Sequence, residues 1–150
     1  STVKAALQFA LTMRPSGKPL DPKNAQGIQG YDLWIQCLEN GDWRKATPHG
    51  VHHNAACWHE CRAYAERFLR LAGTRLRGGT QPLFNEAADH YGNVRKALCG
   101  LQGIFIYKYP QPPVDEAGVA RAVALLRKAK EEEAKGLAVI ERIVGQLSDF

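Results

Sequence analysis

The chain has 150 residues, 45% of them apolar and 23% charged, the balance of one folded globular domain rather than a disordered segment. No apolar run approaches the roughly 18–20 residues of a membrane span, and Thr2, Lys4 and Gln8 break up any leader-like block at the N-terminus. Twenty Lys and Arg against fifteen Asp and Glu leave a net charge of +5, but the basic residues are scattered. The densest group, Arg67, Arg70, Arg75 and Arg77, falls near a helix C-terminus, where cations complement the dipole.

Five helices are predicted. Val3, Ala6, Leu7, Ala10 and Leu11 recur at helical spacing and place the first over 2–13. Pro15, Gly17, Pro19 and Pro22 then make 14–27 a loop. Tyr31, Trp34, Ile35 and Leu38 form the stripe of a short second helix that Gly41 stops, and 42–50 reads as a loop around Pro48 and Gly50. The third helix, 51–72, is assigned an apolar face of Cys57, Trp58, Cys61, Tyr64, Ala65, Phe68, Leu69 and Ala72. Its polar face is His59, Glu60, Arg62, Glu66, Arg67 and Arg70, and Gly73 and the pair Gly78-Gly79 end it.

Thr80 is the candidate cap of the fourth helix, with Pro82 in its first turn. Its stripe runs Phe84, Ala87, Ala88, Tyr91, Val94, Leu98, Leu101 and Phe105. Ile104 to Tyr107 has strand-like composition but no partner strand, so it is taken as a helix end before Pro110, Pro112 and Pro113. Asp115 or Glu116 starts the fifth helix, 115–147, with Val119, Ala122, Val123, Leu126, Ala129, Leu137, Ile140 and Val144 inward. No segment alternates like a strand. The fold class is therefore all-α: a bundle of about five helices, the three long ones antiparallel and the two N-terminal ones closing one side. The chain is one domain, 1–150, or part of a longer protein.

Four cysteines, Cys37, Cys57, Cys61 and Cys99, come without other marks of secretion. Reduced thiols and a cytoplasmic location are expected. The most unusual local feature is a cluster of His49, His52, His53, Cys57, His59 and Cys61. His53, Cys57 and Cys61 are four residues apart and share one row of the helix. Imidazole and thiolate suit zinc, so this row is the candidate metal site, although its spacing matches no zinc-finger or Cys-x-x-Cys pattern. A further alternative is a His53–Cys57 nucleophile pair, with Asn54 as the nearest third group. The expectation is that Cys57 and Cys61 are reduced and largely buried, packed as small hydrophobes.

A carboxylate on a core-facing row is uncommon unless paired. Glu133 lies between Ala129 and Leu137 on such a row. It either turns out to solvent with Glu131 and Glu132, or faces inward to meet Arg62, Arg95 or a cationic ligand. Asn54 and Tyr91 also sit on or beside inward stripes. With Tyr31, Trp34 and Trp58 as aromatic walls, these residues make the candidate ligand-binding set Tyr31, Trp34, Asn54, Trp58, Tyr91 and Glu133.

The ordered set Tyr31-Asp32-Leu33-Trp34-Ile35, Asn54-Ala55-Ala56-Cys57-Trp58-His59-Glu60-Cys61-Arg62, Ala65, Phe68-Leu69, Tyr91, Ala129-Lys130 and Gly136-Leu137-Ala138 spans nearly the whole chain. It resembles a bacterial all-helical domain found alone or as the C-terminal partner of a papain-type or butirosin-biosynthesis-H-like module. The chain departs from it at His52 and His53, where the family has a small or amide residue and a tyrosine. The resemblance implies a helical accessory or ligand-binding role and carries no catalytic residues. The function expected is thus a non-catalytic domain that binds a small molecule between its helices or docks an adjacent protein module, with no cofactor. The alternatives are a zinc-dependent or thiol enzyme centred on the third helix, and a basic anion or nucleic-acid binder using Arg67 to Arg77. No membrane partner is expected, and nucleic acid is the least favoured partner.

Overall fold

A computed structural model describes residues 2–13, 25–45, 50–76, 79–110 and 112–147. They form an all-α bundle with no strand among the described residues. Its described helices are α1 (Thr2–Thr12), α2 (Ile28–Glu39), α3 (Gly50–Arg75), α4 (Gln81–Ile104) and α5 (Glu116–Gln146), with a 3-10 turn at Asp42–Lys45. No described helix is long and apolar enough to cross a membrane.

The three long helices are antiparallel neighbours in sequence order, α4 lying between α3 and α5. Cross-helix pairs fix the registers. Arg70 meets Asp89 at 2.8 Å and Arg95 meets Glu66 at 3.0 Å between α3 and α4. Between α4 and α5, Glu132 accepts from Asn93 and contacts His90, both at 2.9 Å, while Arg142 reaches Glu86 at 3.1 Å. The helix starts differ. Asp115 caps α5 as its sequence suggests, accepting from the Gly118 N–H at 2.7 Å. Thr80 occupies the cap position of α4, but its hydroxyl makes no capping bond and is buried without a partner.

The short helices divide the length of α5 between them. α1 lies along its C-terminal half and α2 along its N-terminal half. Each completes a separate core. Tyr31, Trp34, Ile35 and Leu38 pack with Val94, Leu98, Leu101, Phe105, Ala122, Leu126 and Ala129 at one end. Leu7 packs with Leu69, Ala72, Phe84, Ala88, Val139, Ile140 and Ile143 at the other. Where α1 gives way to α2, the bundle has a waist, and the polar residues of α3 and α5 meet there.

The inward face of α3 is not the one its composition suggests. Gly73 does not end the helix; it is buried, leaving room for Phe84 of α4. The row that faces the bundle is Ala55, Trp58, Arg62, Glu66, Leu69, Ala72 and Gly73, whereas Cys57, Cys61, Tyr64 and Phe68 are exposed. Reading Cys, Trp, Tyr and Phe alike as apolar widened the predicted stripe and shifted its centre roughly a quarter-turn from the true one.

Candidate functional site

At the waist, Glu133 is buried, only 6% exposed, and three groups converge around its carboxylate. Arg62 grips it bidentately, Nε to Oε2 at 3.1 Å and Nη2 to Oε1 at 2.6 Å. Tyr31 donates its hydroxyl to Oε2 at 2.5 Å. The Arg62 guanidinium lies over the ring of Trp58, 4.7 Å from its centroid, in cation–π geometry. Trp58 in turn packs edge-on against Tyr31 and Trp34, with centroids 5.2 and 5.9 Å away. α2 supplies Tyr31 and Trp34, α3 supplies Trp58 and Arg62, and α5 supplies Glu133 to one ionic and aromatic network.

Two glycines allow this approach. A Cβ on Gly30 would come within 3.0 Å of the Trp58 ring, and one on Gly136 within 3.1 Å of the Tyr91 ring. Their lack of a side chain leaves room for the Trp58 ring against α2 and the Tyr91 ring against α5. No periodicity marks either glycine as part of a site, and neither is among the predicted site residues.

Burial raises the Tyr31 hydroxyl well above the ordinary tyrosine range, and the neighbouring Glu133 charge adds to the effect. Tyr31 is therefore a donor at neutral pH. Burial works against the Arg62 charge, yet Glu133 more than offsets it and holds the guanidinium protonated. An arginine has five N–H donors, of which Glu133 uses two here. Its other N–H groups make no hydrogen bond among the described residues.

Beside this network a cleft of about 590 Å³ opens between α1, the segment entering α2, α3 and α5. Phe9, Met13, Ala65 and Leu137 give it apolar walls, and Trp58, Arg62, Tyr91 and Glu133 line it as well. On the other side of Trp58 lies a second cleft, of about 600 Å³, between α2, the 3-10 turn and α3. Trp34, Trp43 and Trp58, all the tryptophans of the chain, line it together with Leu33, His53 and Asn54.

The predicted binding set is thus split. Trp58, Tyr91 and Glu133 line the first cleft, with Tyr31 bonded to Glu133 behind them. Trp34, Asn54 and Trp58 line the second. Asn54 is exposed and does not reach Glu133 or Tyr91 in one cavity, because it lies on the outer side of α3, one turn before Trp58. Glu133 faces inward, and of its two predicted protein partners it pairs with Arg62, while Arg95 pairs with Glu66.

The cysteines are free, as expected, but Cys57 and Cys61 are exposed rather than buried. His53 Nε2 lies 3.6 Å from Cys57 Sγ, and His53 makes no other hydrogen bond among the described residues. No three of His, Cys, Asp and Glu converge on a metal position among those residues. The row His53, Cys57 and Cys61 runs along the outside of α3 as a pair and a neighbour, not as a three-ligand set. His52 is used elsewhere, with Nδ1 2.7 Å from the Phe105 carbonyl, and His49 lies outside the described residues. Of the arginine group, Arg70 is engaged by Glu66 and Asp89, and Arg77 lies outside the described residues.

Comparison with known proteins finds no matching family model, no matching curated protein and no matching solved structure.

Proposed function

We propose that this chain is a non-catalytic helical domain that binds a small amphipathic molecule in the cleft beside Arg62 and Glu133. The observation that carries this reading is the buried ion pair at the cleft floor. Burying two charges is costly, and a well-packed apolar substitute of the same volume is often as stable or more so. A charged pair set at the bottom of an apolar-walled cleft is better explained by what it recognises than by what it stabilises. The ligand that fits has an apolar body, for Phe9, Met13, Ala65 and Leu137, and an acceptor oxygen for the free edge of Arg62. The resemblance to helical accessory domains supports the same reading.

The second cleft is the runner-up site, favoured by its three tryptophans. One experiment separates the two. A panel of aliphatic and aromatic carboxylates is screened by backbone amide chemical shifts on labelled protein. The expected result is a binder whose shifts cluster at Met13, Ala65 and Leu137, and whose binding Ala65→Trp abolishes by filling the cleft. Shifts confined to Leu33, Trp43 and Asn54 would move the site to the second cleft. A panel with no saturable binder would refute the ligand-binding reading.

A further inference from the structure

The bundle leaves a second row of α3 uncovered. Cys57, Cys61, Tyr64, Phe68 and Leu71 are all exposed, the last three at 61%, 40% and 50%. Their spacing is four, three, four, three, the repeat of a coiled-coil seam. α1 borders the same row: Phe9 and Met13, 68% and 51% exposed, share the first cleft with Cys61. Apolar surface therefore runs continuously over two helices, which is the mark of an interaction face.

The charges along its edge select the occupant. Glu60 and Arg67 flank the row on the side away from α1, and both are exposed. Neither takes part in an ion pair among the described residues. They are seven residues apart, so they hold the same flanking position in successive repeats with opposite sign. In an antiparallel pair, like flanking positions face each other. Setting Cys61 level with Tyr64 of a second copy, and Cys57 with Phe68, brings Glu60 beside Arg67 of that copy and Arg67 beside its Glu60. A shift of one repeat would instead set Arg67 against its own twin. A parallel pair would oppose Glu60 to Ala65 and Arg67 to Ala72, which carry no charge.

We propose that the outer face of α3 is a self-association surface on which two copies of this chain pair antiparallel about a twofold axis, with reciprocal Glu60–Arg67 bridges. The interface is isologous, so every contact is made twice. It does not rest on the ligand reading: of the row only Cys61 lines the first cleft, together with Phe9 and Met13 of the bordering α1. The axis passes level with the Arg62–Ala63 peptide. The two copies of Cys61 are then three residue levels apart, roughly 4.5 Å along the helix at about 1.5 Å per residue. That brings them within reach of a disulfide, whereas the two copies of Cys57 are eleven levels apart and cannot meet.

Sedimentation velocity over a range of concentrations tests the pairing. The chain is expected to dimerise, and Phe68→Glu to be monomeric with unchanged far-ultraviolet circular dichroism. Glu60→Arg should weaken the dimer roughly tenfold or more by facing like charges, and Glu60→Arg combined with Arg67→Glu should restore it. Variants retaining one cysteine are treated with oxidised glutathione: the Cys61-only chain should form a covalent dimer and the Cys57-only chain should not. A chain monomeric at every concentration, a double swap that fails to restore association, or cross-linking through Cys57 would each overturn the proposal.

Discussion

Replacing Glu133 by alanine tests the central network most directly. The change strips Arg62 of two charge-assisted hydrogen bonds and Tyr31 of one, and leaves an arginine whose side chain is only 18% exposed with no counter-charge. Removing one partner of a buried pair costs about 3–5 kcal/mol, and the partial water access of Arg62 places the loss near the lower end, about 3 kcal/mol. For a domain of this size, 1 kcal/mol corresponds to roughly 2–4 °C, so the Tm should fall by roughly 6–12 °C. The assay is urea and thermal unfolding followed by tryptophan fluorescence and circular dichroism. The cost should lie in the orphaned charge rather than in the lost pair. Arg62→Met in the Glu133→Ala background should therefore recover much of the stability, and a triple change to Tyr31→Phe, Arg62→Met and Glu133→Leu should be near neutral. A loss below about 1 kcal/mol for Glu133→Ala would refute the reasoning, because it would mean that Arg62 is rehydrated and behaves as an exposed pair does.

Other consequences concern the helix contacts and the thiols. Asn93, then His90, draw the Glu132 carboxyl down to about 2 from its ordinary 4.5. A depressed acid contributes stability that is present above the unfolded pKa and lost as pH falls through the folded one. Acid unfolding should therefore steepen between about pH 4.5 and 2, and Glu132→Gln should flatten that limb in equilibrium unfolding measured against pH. Gly73→Ala should destabilise by about 1–3 kcal/mol, because its Cβ would fall 2.7 Å from that of Phe84, whose backbone-borne carbon cannot swing away. By contrast, Gly103→Ala meets nothing within 4 Å in α4 and should stabilise by up to about 1 kcal/mol in the same urea assay. A thiol reagent should modify Cys99 quickly in the native protein, and Cys57 and Cys61 quickly in the Phe68→Glu monomer, where the seam is open. Cys37 should react slowly, since burial and then the Asp42 charge raise its thiol; mass spectrometry of the labelled protein reads the order directly.

Local signals in the chain were sufficient for the elements. Apolar spacing, the Asp115 cap and the proline clusters place all five helices with ends shifted by only a few residues, because helix formation depends on near neighbours. The unusual polar position of Glu133 is also legible, since a carboxylate between Ala129 and Leu137 breaks a core-facing row. What the row cannot tell is which way the carboxylate turns or which arginine meets it. That depends on the antiparallel registers of α3, α4 and α5, which put Arg62 at the waist and give Arg95 to Glu66. The facing of α3 was likewise decided by the tertiary structure. Seen alone, the helix carries apolar residues around more than half its circumference, and α4 packs on the side with Ala55, Leu69, Ala72 and Gly73, where the bare Gly73 leaves room for Phe84. Tyr64, Phe68 and Leu71 are left outside. Hydrophobicity fixes that a residue can be buried; only the shape of the neighbouring helix determines which of two apolar rows is.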